Sequence, residues 1–178
     1  MTYEFLRTSK GKNDECYTER YAVEPLLDYL EPFKDKIIWC PFDDENSEFV
    51  KVFKEYGYKV IFSHIKFGQD YFKYQPDKFD IIISNPPFTN KTEIFKRALS
   101  FDKPFALLMT LAWLNDAAPA KIFKDKNIQI LSFDKRMQFK NLNRDKINFM
   151  SGYICHRFLP RDLIFSTFRN NREQMKLL

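Results

Sequence analysis

Phe79-Asp80-Ile81-Ile82-Ile83-Ser84 runs directly into Asn85-Pro86-Pro87-Phe88, and these ten residues decide how the chain folds. Three consecutive isoleucines predict a strand covered on both faces, as inside a parallel sheet. Two prolines cannot extend a central strand, so the chain must turn out of the sheet at Pro86. An amide and an aromatic ring are thereby held at the strand's carboxyl end by a stiff, low-entropy bracket.

Outward from this stretch the pattern alternates. Lys36 to Cys40 (KIIWC) and Tyr58 to Ser63 (YKVIFS) read as strands. Between them Phe49, Val52, Phe53 and Tyr56 mark the apolar face of a helix that Gly57 stops. Val23, Leu26, Leu27 and Leu30 recur at i, i+3, i+4 and i+7; Thr18 is placed as a cap, and Pro25 as the point where that helix kinks or begins. Downstream, Asn90 and Glu93 predict a capped helix burying Ile94, Phe95, Ala98 and Leu99. Pro104 to Leu111 predicts a fourth strand, followed by a helix near Pro119 to Lys124. Ile128 to Phe133 and Asn148 to Phe158 predict an antiparallel pair around a basic loop. Strand and helix in alternation predict an α/β fold, a mostly parallel central sheet with helices on both faces. Such sheets bind ligands beyond the carboxyl ends of their strands.

Composition narrows the class. Length of 178 residues predicts one domain, 1–178. A hydrophobic share of 44%, with 20 Phe and only four Gly, excludes disordered and low-complexity readings. The longest uncharged run, Pro104 to Asn115, is too short to span a bilayer, and the first fifteen residues lack the apolar core of a signal peptide. A cytoplasmic protein is expected. Cys16, Cys40, Cys155, His64 and His156 follow no metal-binding or disulfide spacing, so no metal is expected.

Charge is unevenly spread. Net charge is +5, yet residues 134–178 hold ten Lys or Arg against four acids, leaving −1 for residues 1–133. A basic quarter is either a solvated face or a contact for a polyanion such as nucleic acid. Lys135, Arg136, Lys140, Arg144 and Lys146 form the basic insertion nearest the predicted ligand edge, and Phe139, Phe149 and Tyr153 interleave with it, which suits base stacking as well as core packing.

The bracket suits chemistry on a planar exocyclic amine. The Asn85 side-chain oxygen and the Pro86 carbonyl can each accept one N–H, drawing the nitrogen towards tetrahedral geometry, while Phe88 stacks on the ring that carries it. The contribution is orientation and hydrogen-bond polarisation, with no strong base required. Asp70, an acid between Phe67 and Tyr71-Phe72, wants a donor, and His64 falls at the ligand-binding edge.

These segments resemble class I S-adenosylmethionine-dependent amino-methyltransferases, and in particular small adenine-N6 DNA methyltransferase-like proteins common in phages and prophages. The matching stretches are Tyr17 to Leu27, Trp39 to Asp43, Ser63 to Ile65, Gly68 to Phe72, Ser84 to Phe88 and Lys103 to Thr110, with further similarity at Lys135-Arg136 and Asn148 to Pro160. The resemblance implies a Rossmann-like seven-stranded sheet whose last strand pair runs antiparallel. It implies that Asn85, Pro86, Pro87 and Phe88 are catalytic and that S-adenosylmethionine is the cofactor. Tyr17 and Thr18 would touch the methionine end of the cofactor; Asp70 and Tyr71 would meet its adenine; Cys40, Pro41, Phe42, Asp43, Ser63, His64 and Ser84 would complete the site with Asn85. The chain departs from the wider superfamily in having no Gly in the loop after the first strand and no acid after the second. Asp43 and Asp44 are then the carboxylates placed to take the ribose contact. Methyl transfer to adenine N6 in DNA is the leading expectation. A catalytically degenerate nucleic-acid-binding protein, or an amino-methyltransferase acting on RNA or protein glutamine, are the alternatives. No separate target-recognition domain fits in the chain.

Overall fold

Alternate residues of the isoleucine-rich strand face opposite sides of a sheet, and both sides are covered. The computed structural model describes residues 18–137 and 150–168. Its strands are β1 (Ile37–Cys40), β2 (Lys59–Phe62), β3 (Ile81–Ser84), β4 (Phe105–Thr110), β5 (Ile128–Phe133), β6 (Ser151–His156) and β7 (Leu163–Ser166), and its helices α1 (Arg20–Val23), α2 (Glu48–Glu55), α3 (Lys91–Ser100) and α4 (Ala117–Phe123). The sheet runs β2-β1-β3-β4-β6-β5-β7. β2, β1, β3 and β4 pair in parallel; β6 is antiparallel to both β4 and β5; β7 returns parallel to β5.

Period-two alternation divides the core. Ile38, Ile81, Ile83, Ala106 and Leu108 face the layer formed by Val23, Leu26 and Leu30 and by α2 through Phe49, Val52 and Phe53. Trp39, Ile82, Phe105 and Leu107 face α3 through Ile94, Phe95 and Ala98. Ser47 caps α2, accepting from the Phe49 N–H at 3.2 Å, and Gly57 follows it at φ +78°, where a left-handed residue without Cβ costs least. Gly152 on β6 is forced by packing: a Cβ there would stand 2.7 Å from the Leu131 carbonyl oxygen and 2.9 Å from Leu111 Cδ1.

Several expectations need correction. The first helix is α-helical for four residues only and tightens at Glu24 into a 3-10 helix, Glu24–Tyr29, with Pro25 in its first turn. Its cap residue is Glu19, and Thr18 is engaged elsewhere. Asn90 starts α3 in the left-handed region (φ 55°) with no side-chain capping bond, so the Asn90–Glu93 capping box does not form. Tyr56 lies off the buried face of α2, 47% exposed. The sheet has the seven strands that the resemblance implies, but the residue pattern places only six; β7 carries no signal, because of its four residues only Ile164 is buried.

Candidate active site

α2, following β1, and α3, following β3, cover opposite faces of the sheet, and the carboxyl ends of β1, β2 and β3 border a cavity of about 560 Å3. Such divergence opens a crevice at the strand ends. Asn85, Pro86, Pro87 and Phe88 form one wall, with Pro86 buried and the other three half-buried. The prolines turn the chain so that Asn85 leaves β3 facing the N-terminal segment. Its Nδ2 donates to Thr18 Oγ1 at 3.0 Å. A carboxamide held by its nitrogen has its oxygen fixed in the same plane, directed away from that nitrogen.

Aromatic rings form the opposing wall. Phe42 and Tyr71 lie 4.7 Å apart between centroids, and Phe72, 40% exposed, continues the wall outward. Tyr71 is fixed by its hydroxyl, which donates to the Ile94 carbonyl at 3.4 Å, and by Trp39 at 5.6 Å; burial pushes its phenol well up. Trp39 is itself anchored where its indole N–H donates to Ser63 Oγ at 2.9 Å. Asp70 lines the cavity and accepts from the Phe72 N–H at 3.0 Å, which fixes the turn beneath the rings. His64 caps the 3-10 turn Ile65–Phe67, its Nδ1 accepting from the Lys66 N–H at 3.2 Å.

Two carboxylates occupy the loop after β1. Asp43 is 7% exposed and accepts through one oxygen from Ser47 Oγ at 2.5 Å and through the other from Ser84 Oγ. Burial pushes its carboxyl up to about 6, although both serine bonds pull the other way. Asp44 accepts from the Asn46 N–H at 2.7 Å and pairs with Lys66 across the cavity mouth. Burial opposes its ionisation, but Lys66 and that N–H outweigh it and hold the carboxyl below the usual range.

Thr18, Pro41, Phe42, Asp43, His64, Asp70 and Tyr71 thus share one cavity with the Asn-Pro-Pro-Phe bracket. Cys40, Ser63 and Ser84 do not line it; all three are fully buried behind it, and the two serines hold Trp39 and Asp43 in place. Asp43, read as a ribose contact, has both oxygens engaged with serines. Lys66 and Ser47 are cavity residues that the sequence reading missed; the only advance signal was Ser47's place before the α2 pattern. Tyr17, Lys140, Arg144, Lys146, Phe139 and Phe149 lie outside the described residues. Tyr153 is buried and donates to the Ala22 carbonyl at 2.8 Å, so its ring is core and not a stacking surface. Lys135 and Arg136 are exposed just beyond the carboxyl end of β5, on the cavity's edge of the sheet. Arg157 pairs with Asp102 at 2.9 Å on the opposite edge, so among the described residues the basic side chains of this quarter do not form one patch. Among the described residues no group of three or more His, Cys, Asp or Glu is placed to hold a metal, and no helix is long and apolar enough to cross a membrane.

Sheet order, helix placement and a cavity over the parallel strand ends define a class I methyltransferase fold. The chain superposes on a protein of Listeria monocytogenes described as a class I S-adenosylmethionine-dependent methyltransferase with a TM-score of 0.53, at 12% identity, over 98% of this chain and 73% of that one. In sequence it is similar to the type II methyltransferase M.EcoRI of Escherichia coli, 24% identical over 172 residues, covering 68% of this chain and 53% of the relative. The chain therefore spans about half the length of that curated relative. No family model matches it.

Proposed function

We propose that the protein transfers a methyl group from S-adenosylmethionine to the exocyclic N6 amine of adenine in DNA. The observation that carries this reading is the Asn85-Pro86-Pro87-Phe88 bracket, set in the cavity wall with its amide nitrogen held by Thr18. The cavity's chemistry fits the cofactor: Phe42 and Phe72 offer ring surface to a purine, Tyr71 packs behind them, and Asp70 offers a carboxylate beside them. Its volume lies in the range of small-molecule sites. Bound there, the cofactor would supply an electrophilic methyl group.

The chain's residues do the positioning. The Asn85 oxygen and Pro86 carbonyl accept the two N–H bonds of the substrate amine and so direct its lone pair away from the ring plane. Phe88 holds the ring by stacking. The amine becomes acidic once alkylated, so no buried base is needed. An adenine within a duplex must leave the stack to reach this wall, and Lys135 and Arg136, on the same edge, suit the phosphates beside it.

Incubation with an isotope-labelled methyl donor and DNA, RNA or glutamine-containing peptides in separate reactions tests the reading. Label is expected in N6-methyladenine from DNA and nowhere else. Label confined to RNA or peptide overturns the substrate, and no label in any reaction overturns the activity.

A further inference from the structure

Where the superfamily pattern would put glycines after β1, this chain has Pro41, Phe42 and Asp43, and a hydrogen-bonded staple holds that loop. Ser84 Oγ accepts from the Phe42 N–H at 3.3 Å and gives its proton to Asp43. Ser47 Oγ accepts from the Phe49 N–H at 3.2 Å and gives its proton to the other Asp43 oxygen at 2.5 Å. Each serine thus takes a backbone N–H and passes its own proton to one carboxylate. Three elements meet at that point: the loop that walls the cavity, the first turn of α2, and the residue immediately before Asn85.

We propose that Asp43 is a positioning residue, whose carboxylate locks the cofactor-side loop to the base of the catalytic bracket so that both walls of the cavity are held in register. The inference rests on the proposed function. An ionised carboxylate offers only acceptors, which is what two hydroxyl donors require; protonated, or replaced by an amide, it turns a donor towards a group already donating. The staple is therefore acid-sensitive within an ordinary laboratory range. Facing Asp43 are the adjacent Asp44 carboxylate, the Cys40 thiol on β1 and the Tyr153 phenol on β6, the last two kept protonated by burial. Lys54 of α2 stands towards Cys40, and Glu48, His64 and Lys66 line the same cavity.

Calorimetric titration of the full chain with S-adenosylhomocysteine, at about pH 5 and about pH 7.5, tests the proposal. Wild-type affinity is expected to be about tenfold weaker at the lower pH. Asp43→Asn should bind more weakly than wild type at the higher pH and lose that pH dependence. Ser84→Ala should weaken binding, and Ser84→Thr, which keeps the hydroxyl, should restore it. His64→Gln should retain the acid loss. Should Asp43→Asn fail to fold by circular dichroism, the two Ser84 variants decide by the same criterion. Asp43→Asn or Ser84→Ala binding as wild type does, or the acid loss disappearing in His64→Gln, overturns the staple and leaves the proposed activity standing. A wild type that binds no S-adenosylhomocysteine at either pH removes both.

Discussion

Asn85 and Asp43 are joined through Ser84, which precedes Asn85 in the chain and donates to Asp43, yet they illustrate different kinds of legibility. Asn85 was readable because proline chemistry is local: two prolines after a buried strand leave few conformations, and the side chain before them must emerge at the sheet edge. The same holds for Asp70 and Tyr71, which lie together in one short turn. The Asp43 staple was not readable, since Ser84 is 41 residues from Asp43 and only the parallel register of β1 and β3 joins them. Asn85→Ala is expected to lower methyl transfer by about 10^2 to 10^3 with little change in melting temperature, because the half-buried side chain lies in the cavity wall and not in the core. Asp43 carries a stability prediction. Its carboxyl titrates at 3.8 when unfolded and at about 6 when folded. Between those values the folded state holds the extra proton, so Asp43's contribution is complete below pH 3.8 and is lost as pH rises through 6, by about 3 kcal/mol. Urea denaturation across that range should show this loss in wild type and its absence in Asp43→Asn.

At the scale of elements, β3 and β4, buried on both faces, were legible to within two residues, whereas β6, buried along its whole length, was read from Asn148 and begins at Ser151. β3 and β4 each carry a strong apolar run, while β5 buries only Gln129 and Leu131 and is recognised by its pairing with β6 around a basic loop. Elements on the rim were less so. β7 alternates exposed and buried residues over only four positions, too short for a period to register. The first helix changes to a 3-10 form at Glu24 because its apolar residues are placed by packing against β1 and β3, and Pro25 withholds an N–H. Gly152 marks where β6 passes under Leu111 and beside Leu131. Gly152→Ala should destabilise the protein by about 1–3 kcal/mol in chemical denaturation, since the backbone carbonyl it meets cannot move without breaking the β5–β6 ladder.

For the whole molecule, the class of fold followed from alternation alone, whereas the distribution of charge did not. A basic C-terminal quarter reads as one patch in sequence, but an antiparallel β6 carries Arg157 to the edge opposite the cavity, leaving Lys135 and Arg136 on the cavity's side. DNA affinity should accordingly fall steeply with salt, and charge reversal at Lys135 and Arg136 should reduce it more than reversal at Arg157, as filter binding at two ionic strengths would measure. S-adenosylhomocysteine at about 100 times its dissociation constant should stabilise the fold by about 2.7 kcal/mol in a thermal or urea melt.

Mass spectrometry of nucleosides from the DNA of cells expressing the wild type or Asn85→Ala tests most directly whether the bracket captures an adenine amine. The account predicts N6-methyladenine above background with the wild type and background levels with the variant at equal expression. Equal N6-methyladenine from both proteins, or none from the wild type, would contradict it.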